Sequence, residues 1–272
     1  MPMNSDGRSN PGFVFGSSPQ PDSELTERVG NESTEAKPDP QGGLVKAWSF
    51  SRLKNFESCA WRVYLTSVKK HKEESGEAAQ RGTMIHQLGE DFAKCVIETL
   101  PAELKHFKNA FKRLRHRYQE GKVALEEDWG FDIDWAPTGW FDDNVWGRMK
   151  LDAFDREDET SAEVIDYKTG KKFGNELSHS SQAQLYAVGS FMRYPELQFI
   201  RARFFYLDIP GGPAENELVK NYSRERALLF LPKINERAIK LTSATEFDPS
   251  PSKYTCRWCP HRESGVCKWA EE

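Results

Sequence analysis

The sequence EVIDYKTG at residues 163–170 constrains the fold more than any other part of the chain. Val164 and Ile165 are β-branched residues, which favour a buried strand. Asp166 and Lys168 stand two residues apart, so on a strand they project from the same face. Burying a carboxylate and an ammonium at a strand end is costly unless a bound group needs both, such as a metal ion with a polarised water. The sequence therefore predicts a buried strand that carries a chemical site.

Further acidic and polar side chains are placed to join this strand. The sequence WGRMKLDAF predicts a second strand that carries Asp152, which can meet Asp166 if the two strands form a hairpin. Residues 178–194 predict a helix, on which Gln182 and Tyr186 are four positions apart and lie on one face. The predicted order is thus a strand with an acid, a strand with an acid and a lysine, and a helix with two polar side chains.

A histidine lies on an earlier predicted helix, which opens at Arg81 and ends near residue 100. His86 and Glu90 are four positions apart on this helix and share one face. Two interpretations stay open from spacing alone. The pair has no chemical role and lies at the surface or in the core, or His86 is a ligand with Glu90 beside it.

Residues 103–122 predict a strongly basic helix in a chain whose net charge is −4. Phe107, Phe111, Leu114 and Tyr118 recur at helical spacing and are expected on its buried side. A solvated face is one interpretation of the cations, and a surface that contacts the phosphate backbone of DNA is the other. The expected DNA-binding residues are Lys105, Lys108, Lys112, Arg113, Arg115 and Arg117.

The segment that follows this helix is rich in tryptophan. Residues 125–144 contain many Trp, Asp, Pro and Gly residues and predict a loop or an irregular cap. Trp129, Trp135 and Trp140 either stack on unpaired bases or pack against the domain. A further strand is predicted over residues 199–208, and a last helix over 223–242.

Charge and composition divide the chain in two. Residues 1–43 carry seven acidic and three basic residues, are rich in Ser, Pro, Gly and Asn, and predict a disordered acidic tail. Residues 44–272 are neutral overall and are expected to form one domain, so any nucleic acid must be held by a local basic patch. We expect a cytoplasmic protein without a membrane partner, because the sequence has no signal segment and no long apolar run.

Five cysteines in a cytoplasmic chain point to metal ligation rather than to a disulfide framework. Cys256, Cys259 and Cys267 lie within twelve residues of one another. A tetrahedral or cluster site needs a fourth ligand, and three candidates stay open. These candidates are Cys59, Cys95 and His261.

Taken together, these features resemble the PD-(D/E)XK nuclease superfamily and, within it, the RecB-like branch. Four motifs carry the resemblance over about residues 46–268. They are His86 in GTMIH, Asp152 in KLD, Asp166 and Lys168 in IDYKTG, and Gln182 and Tyr186 in QAQLY. One cysteine before this core and three after it are similar to the iron-sulfur subgroup, which includes the CRISPR-associated RecB-like exonucleases and the AddB-type nuclease domains.

The second motif departs from the family pattern. The family usually has a glycine three residues before the acid, whereas Met149 occupies that position here and Gly147 lies five residues before Asp152. A motif counted from Gly147 would place Lys150 where the acid belongs, and a lysine cannot bind a cation. We assign the motif to Asp152 because the surrounding sequence preserves the local pattern.

The resemblance implies a restriction-endonuclease-like α/β core, in which helices flank a mixed β-sheet. It implies a nuclease that depends on Mg²⁺ or Mn²⁺ and acts as an exonuclease on DNA ends, in DNA recombination or repair. The DNA would be single-stranded or end-containing. Because the chain has no P-loop motif, a helicase or recombination protein would be a separate partner.

The resemblance also implies a role for each motif residue. His86, Asp152, Asp166 and the backbone carbonyl of Tyr167 would hold the divalent cation. Lys168 would orient a water molecule or stabilise developing negative charge. Gln182 and Tyr186 would position the water or the phosphate backbone.

For the cysteines, the resemblance implies a four-iron four-sulfur cluster that joins the N- and C-terminal parts of the domain. Its ligands would be Cys59, Cys256, Cys259 and Cys267. Zinc is the less favoured alternative, because structural zinc sites usually combine two closely spaced ligand pairs, whereas Cys59 lies far upstream. A second class of function also stays open. The chain would then be a catalytically inactive module that keeps the nuclease fold and binds DNA or assembles with other proteins.

Overall fold

The computed structural model describes residues 39–73 and 76–271. The strands in these residues are β1 (Trp48–Ser49), β2 (Val123–Phe131), β3 (Pro137–Thr138), β4 (Gly147–Arg156), β5 (Ser161–Lys168), β6 (Phe199–Tyr206) and β7 (Glu217–Ser223). They form one mixed sheet in the order β3-β2-β4-β5-β6-β7, and β1 pairs with β4. The prediction of a mixed sheet is confirmed.

Helices cover both faces of this sheet. The longer ones are α1 (Phe50–Ser58), α3 (Glu77–Ala93), α4 (Lys108–Gln119), α5 (Glu176–Arg193) and α8 (Leu231–Thr242). The shorter ones are α2 (Ala60–Val63), α6 (Pro213–Asn216), α7 (Arg224–Leu228), α9 (Lys253–Cys256) and α10 (Pro260–Glu263). A π-helical turn, Tyr64–Val68, extends α2, and a 3₁₀ turn, Ala102–Phe107, precedes α4. In the described part of the chain, no helix is long and apolar enough to cross a membrane.

The predicted hairpin is the centre of the sheet. β4 and β5 pair antiparallel, and β5 and β6 pair parallel. A parallel pair needs a crossover connection, and α5 supplies it. Neighbouring residues of β5 pack on opposite faces of the sheet: Val164 joins a cluster with α1, α5 and α8, and Ile165 joins a second cluster with α3 and α4. Helices on both sides therefore bury the strand that carries the predicted site.

The prediction of an irregular segment over residues 125–144 is wrong for its first part. Residues 123–131 form β2, which pairs antiparallel with β4 along its length. Trp129, Gly130 and Phe131 are all buried, so the end of the strand lacks the alternation by which a half-buried strand is recognised. Trp135 is also buried, in line with packing rather than base stacking, whereas Trp140 is half-buried.

Other element boundaries differ from prediction as well. α3 ends at Ala93 rather than near residue 100, and Cys95 follows in the left-handed region at φ 63°. The last predicted helix is divided into α7 and α8, and Pro232 stands at the start of α8, where a missing N–H is tolerated. β7 was not predicted.

The predicted tail, residues 1–43, lies mostly outside the described residues. Its last part, residues 39–43, contacts the domain next to α8. The Gly43 amide donates to the Thr242 carbonyl over 2.9 Å, and the Thr242 hydroxyl bonds the Pro40 carbonyl. A Cβ atom on Gly43 would lie only 2.5 Å from the Thr242 carbonyl oxygen, so this close approach requires glycine. Residues 39–43 of the predicted tail therefore pack against the domain.

A buried ion-pair network ties α4 to the sheet. Glu163 on β5 is 1% exposed and forms ion pairs with Arg113 of α4 and with Arg201 and Arg203 of β6. The arginine charges outweigh burial, which on its own would raise the pKa of Glu163, and hold that pKa below its usual range. A buried carboxylate of this kind is stable only while its partners stay in place.

We expect Glu163→Ala to lower the free energy of unfolding by about 3 kcal/mol, because three guanidinium groups lose their shared partner. Urea unfolding followed by circular dichroism measures this change. Glu246→Ala, which removes an exposed carboxylate outside any helix or strand, is the control and should change stability little. Equal stability of the two variants would contradict a structural role for the network.

Candidate active site

The two predicted acids meet where β4 and β5 separate. The backbone pairing of the strands runs from Arg156 opposite Ala162 to Ala153 opposite Ile165. One residue further on, the Asp152 carboxylate takes the place of the backbone and accepts a hydrogen bond from the Tyr167 amide. At the acids, a side-chain contact thus replaces the backbone pairing of β4 and β5. The loss of backbone pairing opens a gap between the two strands.

Asp166 anchors a second set of polar groups. The Tyr186 hydroxyl and the Gln182 amide of α5 both donate to Asp166 Oδ1, over 2.6 and 3.1 Å. Lys168 Nζ lies 2.6 Å from Asp166 Oδ2 and donates to Gln182 Oε1 over 3.1 Å. The four residues predicted from β5 and α5 therefore form one connected network, in which the ammonium is held by two oxygen atoms.

α3 brings His86 to the same place. His86 Nδ1 lies 3.0 Å from Asp152 Oδ1. One turn further along α3, Gly89 packs against the ring of Tyr167, and a Cβ atom on Gly89 would approach that ring to 2.9 Å. The missing side chain thus allows α3 to lie close to β5, which sets the distance from His86 to Asp152. Glu90 points elsewhere and pairs with Lys94.

Glu126 belongs to the site, although the sequence did not reveal it. In the register of β2 and β4, Leu125 lies opposite Ala153 and Glu127 opposite Leu151, which puts Glu126 across from Asp152. Glu126 has a left-handed φ of 53° within the strand. One of its carboxylate oxygens is buried and has no hydrogen-bond partner among the described residues, and the other lies 3.0 Å from Lys150 Nζ.

Electrostatics at the site favour a bound cation. Burial, and then the nearby charge of Asp166, raise the pKa of Asp152 to about 6. Burial on its own would lower the pKa of His86, but the hydrogen bond and charge of Asp152 outweigh it and raise that pKa. Two buried carboxylates that repel each other are the arrangement that a divalent cation relieves.

The donor atoms fit a hard divalent cation. One ligand atom each from His86, Glu126 and Asp152 lies within 4.8 Å of the others. Asp166 is not in this group, and its oxygens contact Tyr186, Gln182 and Lys168. Carboxylate oxygens with one imidazole nitrogen suit Mg²⁺ or Mn²⁺. Tyr167 contributes its amide to Asp152, and the role of its carbonyl as a ligand stays a prediction.

The departure at Met149 has a packing explanation. Met149 packs against α5 at Gly189, where a Cβ atom would meet the Met149 sulfur at 2.4 Å. Lys150 is exposed and pairs with Glu126, whereas Asp152 is 6% exposed and faces His86. The geometry therefore places Asp152, and not Lys150, at the gap between the strands.

Four of the five cysteines line one cavity at the far end of α1. Cys59 lies at the break between α1 and α2, and the other three come from the C-terminal segment: Cys256, Cys259 and Cys267. The Ser250 amide donates to Cys59 Sγ, which ties the two parts together. Thiolate sulfur is the ligand of iron-sulfur clusters and of many zinc sites, and a bound cluster or zinc here stays a prediction.

The two other candidates for the fourth ligand have different surroundings. Cys95 follows α3 and accepts a hydrogen bond from the Gln119 amide. His261 is buried, and its Nε2 atom lies 3.3 Å from the Thr66 hydroxyl and 3.6 Å from Glu73. Cys59 and His261 both line the cavity of the three C-terminal cysteines, whereas Cys95 does not.

The residues of the predicted basic helix divide into two groups. Arg113 and Arg117 bond the buried Glu163 and Asp155, and Arg115 donates to the Ile97 carbonyl over 2.7 Å. These three guanidinium groups bond groups of the domain itself, and their role as DNA contacts stays a prediction. Among the six predicted DNA contacts, the exposed cations are Lys105, Lys108 and Lys112.

One family of known proteins matches most of the chain. The model of the PD-(D/E)XK nuclease superfamily matches residues 47–268, which include every site residue named above. No curated protein matches the sequence.

Three crystal structures show partial similarity. The structure of SSO0001 has 14% identity and a TM-score of 0.42, with 84% of this chain and 88% of that chain covered. LHK-Exo in complex with dAMP has 11% identity and a TM-score of 0.36, with 84% and 96% covered. The alkaline exonuclease LHK-Exo from Laribacter hongkongensis has 10% identity and a TM-score of 0.30, with 82% and 96% covered.

His179, on α5 next to the site, gives a prediction about pH. Its ring stacks on Phe204, and its Nδ1 atom lies 2.6 Å from the Tyr206 hydroxyl. Burial, and then the charge of Lys168, lower the pKa of His179 to about 4. Burial raises the pKa of Tyr206 to about 12, so at neutral pH the hydroxyl donates to a neutral imidazole.

Because the unfolded chain binds a proton at His179 near pH 6.5 and the folded chain only near pH 4, stability should fall as pH falls through this window. Between pH 6.5 and pH 4, the free energy of unfolding of His179→Gln should fall by about 1 kcal/mol less than that of wild type. This figure allows for the partial exposure of the ring. Urea unfolding at several pH values measures the difference. His116→Gln, which changes an exposed histidine, should follow wild type. A His179→Gln profile parallel to wild type would contradict the assignment.

Proposed function

This chain belongs to the PD-(D/E)XK nuclease superfamily, and we propose that it is a metal-dependent deoxyribonuclease that hydrolyses phosphodiester bonds at DNA ends. One observation carries the proposal. Asp152 and Asp166 meet at the gap between β4 and β5, beside a lysine that Asp166 and Gln182 hold in place. A non-catalytic domain gains nothing from burying these charges together.

Asp152, Glu126 and His86 would hold Mg²⁺ or Mn²⁺ at this gap. The family resemblance adds Asp166 as a further ligand. The cation, when bound, lowers the pKa of a water molecule and neutralises charge on the scissile phosphate. Glu126 adds a third carboxylate to the ligands that the family resemblance implies. The buried oxygen of Glu126, which lacks a hydrogen-bond partner within the described residues, supports this addition.

The other residues of the network position charge and hydrogen bonds. Lys168 places an ammonium against Asp166, where it can stabilise negative charge that develops on the phosphate. Gln182 bonds both Asp166 and Lys168, so it fixes the distance between them. Burial, and then the charge of Asp166, raise the pKa of the Tyr186 hydroxyl well above its usual value, which keeps it a hydrogen-bond donor.

DNA contacts outside the site would come from the segment that includes α4. Lys105, Lys108 and Lys112 are exposed there and can neutralise phosphates of the backbone. Action as an exonuclease on DNA ends, in recombination or repair and beside a separate helicase or recombination protein, is supported by the resemblance of the motifs to RecB-like nucleases.

For the cysteine cavity, the proposal is a structural four-iron four-sulfur cluster held by Cys59, Cys256, Cys259 and Cys267. The convergence of one upstream and three downstream cysteines supports it. Such a group would staple the start of the domain to its C-terminal segment, which otherwise contains only the short helices α9 and α10.

We expect Asp166→Asn and Lys168→Gln each to slow Mn²⁺-dependent cleavage by at least about 100-fold, because each removes charge at the reacting phosphate. End-labelled single- and double-stranded DNA, incubated with the purified protein and separated on gels, gives the rates. Asp128→Asn changes an exposed acid of β2 and should cleave like wild type. If wild type cleaves neither DNA, the chain is a non-catalytic module. Cleavage by Asp166→Asn as fast as by wild type would contradict the proposed active site.

Protein purified without oxygen should contain about four iron atoms per chain and absorb broadly near roughly 400 nm, as thiolate-bound clusters do. Cys259→Ser should lose most of this absorbance, and Cys95→Ser should keep it because Cys95 lies outside the cavity. A colourless protein that contains zinc would contradict the cluster and assign the cavity to zinc.

A further inference from the structure

Glu126 has a strained backbone next to the proposed metal ligands. It lies within β2 and yet adopts a left-handed φ of 53°, a conformation that costs free energy in a residue with a side chain of this length. One of its carboxylate oxygens lies within 4.8 Å of ligand atoms of His86 and Asp152. Strain that persists beside a site points to a role of the strained residue in that site.

The two carboxylate oxygens of Glu126 have different surroundings. Oε1 is buried and has no hydrogen-bond partner within the described residues, whereas Oε2 lies 3.0 Å from Nζ of Lys150. The hydrogen bond to Glu126 outweighs burial and, with the charges of Glu126, Asp128 and Asp152, raises the pKa of Lys150. The ammonium is therefore charged at neutral pH and balances part of the negative charge of the ligand group.

Lys150 and a divalent cation compete for Glu126. Both are positive and both would lie against one carboxylate, so each weakens the binding of the other. The side chain of Lys150 is 58% exposed and flexible, so it can turn away from Glu126 without disturbing the core. The metal affinity of the site then depends on where this ammonium lies.

A second anion for Lys150 can bind in the cavity of about 530 Å³ that opens beside the site. Within the described residues, the lining of this cavity contains no carboxylate and five cations, which are Arg52, Lys54, Arg148, Lys150 and Lys168. Of these, Lys150 is the cation whose partner in the described structure, Glu126, belongs to the group that can hold a metal ion. The phosphates of the proposed substrate are thus attracted to the same ammonium that holds Glu126.

We propose that Lys150 couples metal binding to DNA binding. In the free protein its ammonium holds Glu126, and in the complex it moves to a substrate phosphate and leaves Glu126 to the metal ion. By linkage, DNA then raises the affinity for the metal ion, and the metal ion raises the affinity for DNA by the same factor. Lys150 is thus a positioning residue, since it acts on the metal ion through Glu126. The inference rests on the proposed nuclease function, to which it adds control of metal uptake by the substrate.

Isothermal titration with Mn²⁺ in the absence of DNA gives the first test. Lys150→Gln should bind Mn²⁺ about three- to fivefold more tightly than wild type, because the competing cation is gone. Lys150→Arg keeps a cation at this position and should bind Mn²⁺ like wild type. Lys233→Gln, which removes an exposed lysine that pairs with a glutamate on α8, is the matched control and should also bind like wild type.

The second test measures the coupling to DNA, with Ca²⁺ as a cation that takes the same oxygen ligands. Fluorescence anisotropy of a labelled strand of about 20 nucleotides gives the factor by which saturating Ca²⁺ tightens DNA binding. This factor should be at least about threefold smaller in Lys150→Gln than in wild type, and Lys150→Arg should restore it. A direct contact between the cation and a phosphate contributes to the factor in every variant, so the comparison isolates Lys150.

Lys150 is exposed, so its variants should fold like wild type, which circular dichroism checks. If wild type binds Mn²⁺ and Lys150→Gln binds it equally or more weakly, the inference fails while the proposed metal site stands. An equal Ca²⁺ factor in Lys150→Gln and wild type also overturns the inference alone. If wild type binds no Mn²⁺, the proposed function and the inference fail together.

Discussion

The site depends on the burial of two like charges, Asp152 and Asp166, at the point where β4 and β5 part. Strand pairing stops one residue before the acids, and the Asp152 carboxylate then bonds the amide of Tyr167. Neighbouring side chains offset the cost of burying these two carboxylates. Tyr186, Gln182 and Lys168 surround Asp166, and His86 bonds Asp152. A divalent cation can balance the negative charge that these hydrogen bonds do not offset.

The scaffold around the acids is itself held by charge. Glu163, three residues before Asp166 on the same strand, is buried among arginines from α4 and β6. This network fixes α4 against the sheet on the face that α3 also covers. α3 can then approach β5 closely at Gly89, and His86 reaches Asp152 as a result. The arginines of α4 thus serve the site through the fold, while the lysines of that segment stay exposed to solvent.

The sequence predicted those parts of the site that local patterns encode. The spacing of Asp166 and Lys168 and the apolar residues before them indicated a strand, and the i, i+4 spacing of Gln182 and Tyr186 indicated one helix face; both elements are present. Glu126 could not be found in this way, because it joins the site through the register of β2 against β4 and lies in a strand that does not alternate. The partners of two α4 arginines could not be predicted for a related reason. Arg113 and Arg117 bond carboxylates about 40 to 50 residues away in sequence, and a count of charges cannot show them.

If the acids at the separated ends of β4 and β5 hold a metal ion, the purified protein must bind Mn²⁺. Isothermal titration calorimetry measures this affinity most directly. Wild type should bind Mn²⁺, and Asp152→Asn, which keeps the shape of the side chain but removes its charge, should bind at least about tenfold more weakly. Asp128→Asn on the exposed side of β2 should match wild type. Equal binding by Asp152→Asn and wild type, or no binding by wild type, would contradict the account.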